Sequence, residues 1–451
     1  MITLNNINLS SIDLSGIDLR GIKLGLGGRG GGSGDGFPQL PGDVTRWHFG
    51  GLTNEMMAAM DDPRIEDADH KGRFLSFKNF AWKEGSGISD VYPGALVFDG
   101  VDDYGTYNNF PILTKEKGYT VVALRQWITR GEIAQGLVSN VKNWLKDGAF
   151  LLEYRNIQAD HLNKPISFGA IGSENDLPHI LTYQTSKSYN GVSITTGNFE
   201  GTDVLHVGKL APTKVGTCIN AAIWELVFLD HDATEEELTK IKDYFVKTYP
   251  WLFPDQAWTV TGKTNEDEDR ATIANITGNG NDLVLSNFGF IEGSGYNEEG
   301  EYAGYLVTDG ADDKIVSSVF GMGKDFTIVG DWKFIDNKKS GTGLVKGSSF
   351  YIYNTMIGLD LYINSGSVKN SLDGIKSINA ACSDGRAYDR NWNEILANTG
   401  NVVGSGGILE VSSSGGRFDR IAFKNLAIYP RILSKDDCIK AYNYLQTLKA
   451  K

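Results

Sequence analysis

Cysteine is nearly absent: Cys218, Cys382 and Cys438 are the only three in 451 residues. An odd number at such wide spacing supports neither a disulfide framework nor a close-spaced zinc site, so three buried reduced thiols are expected. Histidine is also sparse, with six residues that show no metal-ligand spacing. Basic charge is in deficit, 43 Lys and Arg against 56 Asp and Glu, for a net charge of -13. That balance disfavours nucleic acid as a partner, because replacing counterions on a phosphate backbone needs clustered cations. No run approaches the roughly 18 apolar residues of a membrane span. The start carries no basic stretch leading into an apolar segment and a cleavage site. Synthesis in a cytoplasm, without a signal peptide and without membrane insertion, is therefore expected.

Glycine and aromatics are abundant instead: 55 Gly, 21 Phe, 19 Tyr and 9 Trp. This mixture points to turn-rich β-structure of the sandwich or barrel class. The chain also contains itself twice. WHFGGLTN from Trp47 returns as WTVTGKTN from Trp258, LSFKNFAWKEGSG from Leu75 as LVLSNFGFIEGSG from Leu283, and YPGALVFDGVDDYGT from Tyr92 as YAGYLVTDGADDKIV from Tyr302. YTVVALRQW, ending at Trp127, parallels FTIVGDW, ending at Trp332, and both repeats close on similar segments from Leu226 and Leu426. Two tandem domains, 44–254 and 255–451, follow, with a boundary near Pro254.

Each repeat reads as strands closed by one helix. Asn190-Gly191 signals a tight hairpin. Thr234 with Glu237, and Ser434 with Asp437, place an oxygen at N-cap and a carboxylate at N3. Leu238, Ile241 and Phe245 then form one apolar face, as Cys438, Ala441 and Leu445 do in the second copy. The expected placement is a helix on the edge of a sandwich.

A buried strand leading into Asp-Gly-x-Asp-Asp, a later strand ending in Trp, and a final strand followed by a capped helix together resemble the concanavalin A-like, or laminin G-like, jelly-roll superfamily. The resemblance covers about 400 residues in two copies. It implies a mainly β fold of two tandem jelly-roll sandwiches, each ending in a short helix. TGKTNEDEDRATIANITGNGNDLVLSNFGFIEGSGY resembles a phrase in structural proteins of tailed phages of gut Bacteroidales, including crAss-like phages. That resemblance implies a virion structural protein of the head-fibre, tail-fibre or capsid-decoration kind, located in the virion.

The superfamily includes glycan-cleaving enzymes, and retaining hydrolysis needs two carboxyls about 5 Å apart. The Glu-x-Asp-x-Glu pattern of those relatives is absent, as is Gly-x-Ser-x-Gly. Glu299 and Glu301 flank Gly300, and Glu266 to Asp269 lie in a polar phrase, so solvated loops are the better reading. No catalysis is expected. The acids Asp99, Asp102 and Asp103, and again Asp309, Asp312 and Asp313, have two readings. They could hold Ca2+ through hard oxygen ligands, or they could build a turn at positive φ and bond the local backbone, which is the better reading. Trp82 and Trp144 could stack on a sugar ring, while Trp127 and Trp332 end apolar runs and belong in the core.

The first residues follow another rule. Ile7, Leu9, Ile12, Leu14, Ile17, Leu19, Ile22 and Leu24 recur at alternating spacings of two and three, which suits neither a helix nor a straight strand. The units resemble pentapeptide repeats, with Ile where Ala is usual. A single turn of such a coil cannot bury its own faces, and an extended arm is the alternative. Either way residues 1–26 ask for a partner surface, and 27–43 form a Gly-rich linker; GLGGRG from Gly25, across their junction, matches a dinucleotide fingerprint by chance. The organisation expected is an arm docked on capsid, portal or tail proteins, a homo-oligomer, and two displayed domains that bind host or mucosal glycans. The alternatives are a purely structural virion subunit, and a glycan-active enzyme or secreted lectin with a non-standard site.

Overall fold

The computed structural model describes residues 36–111, 118–129, 135–140, 151–155, 181–193, 202–210, 218–336, 342–346, 350–354, 358–363, 370–373, 378–396, 405–411, 413–414, 417–418 and 420–450. The chain is mainly β, and its sheets are antiparallel throughout the described pairings. One eight-stranded sheet runs 192–193, 188–189, 181–185, 120–129, 220–229, 96–99, 87–88, with 44–48 also on the 220–229 strand. It packs on a six-stranded sheet ordered 64–66, 74–78, 104–108, 204–207, 135–139, 151–155. The second half repeats the plan: 295–297, 305–307, 420–429, 327–336, 378–382, 386–389, 394–396, with 256–259 on the 420–429 strand, faces an outer sheet built from 272–273 through 370–373. Among the described strands, none from one half pairs with a strand of the other. No helix among the described residues is long and apolar enough to cross a membrane.

Why the strand Asn220–Leu229 reads NAAIWELVFL, apolar with little alternation, is explained by its two faces. Ala221, Ile223, Leu226 and Phe228 enter the core of the first sandwich with Trp47, Phe77 and Val207. Ala222, Trp224, Val227 and Leu229 point the other way, into a core shared by both halves. A strand buried on both faces loses the polar-out half of its pattern. The alternation slips at Trp224, where the pairing with 120–129 skips a residue between Ile223 and Glu225. Such a bulge sets Trp224 and Glu225 on one side. The second copy bulges at the matching place, passing over Lys424. In both copies the bulged carbonyl is satisfied from the neighbouring strand, Phe49 N to Trp224 O at 3.1 Å and Val260 N to Lys424 O at 2.9 Å.

The closing helices form as their caps require. Thr234 Oγ1 accepts from Glu237 N while Glu237 Oε2 accepts from Thr234 N, and Ser434 Oγ accepts from Asp437 N. Their position differs from the sequence expectation: they lie on the sheet faces between the two sandwiches. Ile241, Tyr244 and Phe245 of the first helix and Cys438, Ala441, Tyr444 and Leu445 of the second share one core with both central sheets. An edge position would have left those apolar stripes half in water. The halves are also tied by hydrogen bonds: Tyr429 Oη donates to Trp251 O at 2.9 Å and Arg431 Nη1 to Val246 O at 3.1 Å. All three cysteines are free and buried, and Cys382 and Cys438, distant in sequence, sit together in this middle core.

Asn190 and Gly191 both have positive φ, 45° and 81°, and close the hairpin read from the sequence.

Candidate functional site

The duplicated acid loops are the first candidate, and their geometry is the same in both copies. Asp99 Oδ1 accepts from the backbone N of Val101 (2.7 Å) and Asp102 (3.3 Å), and Asp309 Oδ1 accepts from Ala311 (2.7 Å) and Asp312 (3.3 Å). The last acid reaches back, Asp103 Oδ2 accepting from Asp99 N at 3.1 Å and Asp313 Oδ2 from Asp309 N at 2.7 Å. Gly100 and Gly310 stand at φ 80° and 75°, where a side chain would strain the turn. A second repeated phrase clamps the loop: Asn79 Nδ2 donates to Asp102 O, and Asn287 Nδ2 to Asp312 O.

The Gly-Ser-Gly phrase completes the unit. Ser294 Oγ donates to the Asp313 carboxylate at 3.0 Å, and Ser86, its counterpart in the first copy, stands beside Asp103 and favours its ionised form. The Thr-Asn of the repeats serves the same hairpin. Asn54 bonds Ile88 through both N–H and C=O at 2.8 Å, and Asn265 bonds Tyr296 in the same way at 2.8 and 2.7 Å. The acids, glycines and asparagines kept in both copies are therefore one folding device.

One carboxylate oxygen from each acid of a triad lies within 4.8 Å of the others, a spacing that a cation could use. Their hydrogen bonds fit a turn better than an ion. Asp99 and Asp309 already spend one oxygen on two amides, and Asp103 and Asp313 are 0% and 1% exposed. Burial pushes the Asp103 carboxyl up to about 7 and that of Asp313 up to about 6. A raised acid beside other carboxyls is also a place to look for an acid/base pair. Here the raised acid is sealed from any substrate.

The sugar-stacking candidates fare differently. Trp144 lies outside the described residues, as do the arm positions Ile7, Leu9, Ile12, Leu14, Ile17, Leu19, Ile22 and Leu24. Trp82 is half-buried, with its ring stacked on Phe80 at 5.0 Å and Phe77 edge-on at 5.7 Å. Its backbone φ of 49° is matched by 50° at Phe290, the equivalent residue of the second copy. Trp82 is thus held by a repeated backbone feature with one ring face covered. Trp127 and Trp332 are buried in the cores of their sandwiches. Glu299 and Glu301 are exposed at a short turn, and Asp267 accepts from Thr264 N and Oγ1, so these acids are loop residues.

Sequence reasoning did not find two features. The first is a buried ion pair in the middle core, where Arg46 Nη1 donates to Glu225 Oε1 (3.0 Å) and Tyr244 Oη (2.8 Å), and Tyr249 Oη donates to Glu225 Oε2 (2.7 Å). The lone charge within the apolar run IWELVF was its signal. The second is a half-open cleft of about 430 Å3 where the halves meet, lined by residues from 181 to 448. No local pattern announces it, because its walls come from segments far apart in the chain.

No family model matches the chain, and no curated protein matches it. Among solved structures, a Trypanosoma rangeli sialidase mutant displaying trans-sialidase activity aligns over 86% of this chain and 69% of its own, at 10% identity and TM-score 0.33. A botulinum neurotoxin type C structure, described by its interaction with two ganglioside molecules, aligns over 80% and 90%, at 8% identity and TM-score 0.28. The botulinum neurotoxin serotype D binding domain aligns over 82% and 95%, at 10% identity and TM-score 0.26. With every one of these TM-scores below 0.5, the likenesses carry no argument about activity or ligand.

Proposed function

We propose that the chain is a binding and display protein of a phage virion, of the fibre or capsid-decoration kind, whose apolar arm docks on the particle and whose two sandwiches bind glycans. The observation that carries this reading is the duplicated β-sandwich, with the acids of its repeated loops spent on backbone turns and a separate cleft open between the copies. Such a pair supplies a concave surface and no reachable acid/base couple in those loops, which suits recognition. The jelly-roll resemblance and the Ile/Leu arm ahead of a Gly-rich linker support display on a particle.

Deleting residues 1–36 is expected to abolish incorporation into particles while the remaining chain folds; normal incorporation would refute the docking. Probing a glycan array with the full chain is expected to give defined glycan hits. An empty array would favour a purely structural subunit. New reducing ends on incubation with capsular or plant polysaccharides would instead make it an enzyme.

A further inference from the structure

The cleft between the sandwiches has a chemistry of its own. Its floor is apolar and buried, with Leu252 from the connecting segment and Ile276 and Leu448 from the second half. Its rim is polar and comes from both halves: Tyr183 and Lys242 from the first, Arg431 and Asn279 from the second. Tyr183 is half-buried, and neither its hydroxyl nor the exposed Lys242 ammonium has a partner among the described residues. Arg431 spends Nη1 on Val246 O and has no carboxylate partner there. Asn279 donates to Asp255 O at 2.8 Å, which leaves its Oδ1 to accept. The one acid on the rim, Asp255, bonds the Gln256 amide at 3.0 Å.

Two cations with no carboxylate partner of their own, against the single lining carboxylate of Asp255, leave the lining net positive in a chain of net charge -13, which is an anion's complement. Burial disfavours the Arg431 cation, so an anion entering the cleft would relieve it. The volume of about 430 Å3 lies within the size range of small-ligand sites. An apolar floor suits the C–H face of a sugar ring, and a phenol and an amide suit its hydroxyls.

We propose that this cleft is the sugar-binding site and that it takes a carboxylated sugar of the uronate class, its carboxylate held by Lys242 and Arg431 and its ring lying on the Leu252–Ile276 floor. The assignment rests on the glycan-binding reading above and names the site and the ligand chemistry within it.

The test is calorimetric titration of the full chain with trigalacturonate and with neutral galactotriose, alongside an array of neutral and acidic glycans. Trigalacturonate is expected to bind, galactotriose at least about tenfold more weakly, since a charge-assisted hydrogen bond is worth about that factor. Lys242→Glu is expected to weaken trigalacturonate by about tenfold more and to leave the melting temperature unchanged, because Lys242 is exposed. Arg431→Gln should weaken it similarly, with its melting temperature read in parallel because Arg431 also joins the halves. Equal binding of both sugars, or tight trigalacturonate binding that Lys242→Glu leaves intact, overturns the cleft assignment while the glycan reading stands. Binding only of neutral array glycans does the same. No binding to either trisaccharide or to the array overturns both.

Discussion

Replacing Asp103 with Asn should make the first sandwich more stable at alkaline pH and leave it almost unchanged in acid. The Asp103 carboxyl is fully buried, accepts one amide, and titrates at about 7 against 3.8 for a free carboxyl, mainly because burial penalises its charge. A folded value raised above the unfolded one means that its stability contribution is complete below pH 3.8 and is lost as pH rises through about 7. The gap of about three pH units would correspond to about 4 kcal/mol if nothing screened it. The loop lies at the surface, with Ser86 and the Asp99 amide beside it, so about 1–2 kcal/mol is the expected cost of ionisation. Asn keeps the acceptor for Asp99 N and removes that cost.

His206 works in the opposite sense. Burial pushes its imidazole down to about 4, so its contribution is lost as pH falls below 6.5. The two slopes partly cancel in the parent protein. The quantity to read is therefore the difference between variant and parent in urea midpoint, followed by tryptophan fluorescence at pH 4.5, 6 and 8. The difference should be smallest at pH 4.5, where the unfolded carboxyl has begun to ionise, and grow in favour of Asn through pH 6 to pH 8. A difference that is flat, or that favours Asp at pH 8, would refute the burial argument.

Glu225→Gln leaves the Arg46 guanidinium buried without its carboxylate, and a loss of about 3–5 kcal/mol in chemical denaturation is expected; a loss below about 1 kcal/mol would mean that the pair is solvated. Gly330→Ala would set a methyl 2.0 Å from the Trp332 ring and 2.7 Å from Asn425 O, so about 1–3 kcal/mol should be lost, read as a lower melting temperature of the second sandwich. An unchanged melting temperature would place Trp332 elsewhere.

The capped helices, the Asn190-Gly191 hairpin and the acid-loop turns were legible because each rests on contacts within a few residues. A cap bonds an amide three positions on, and an Asx turn bonds amides two and three positions on, so residue identity is enough. The core placement of Trp127 and Trp332 followed from apolar runs in the same way. Trp82 was less legible, since its exposed-looking context hides a ring laid on Phe80.

By itself the sequence determined the strand-rich duplication and the turn chemistry of Asp99 to Asp103 and Asp309 to Asp313. Only the tertiary structure decided that the closing helices lie between the sandwiches, that Asp103 is sealed, and that Lys242 and Arg431 meet at one cleft. The physical reason is separation along the chain. Burial on a second sheet face depends on what packs there, and here that cover comes from the other copy, about 200 residues away in the chain.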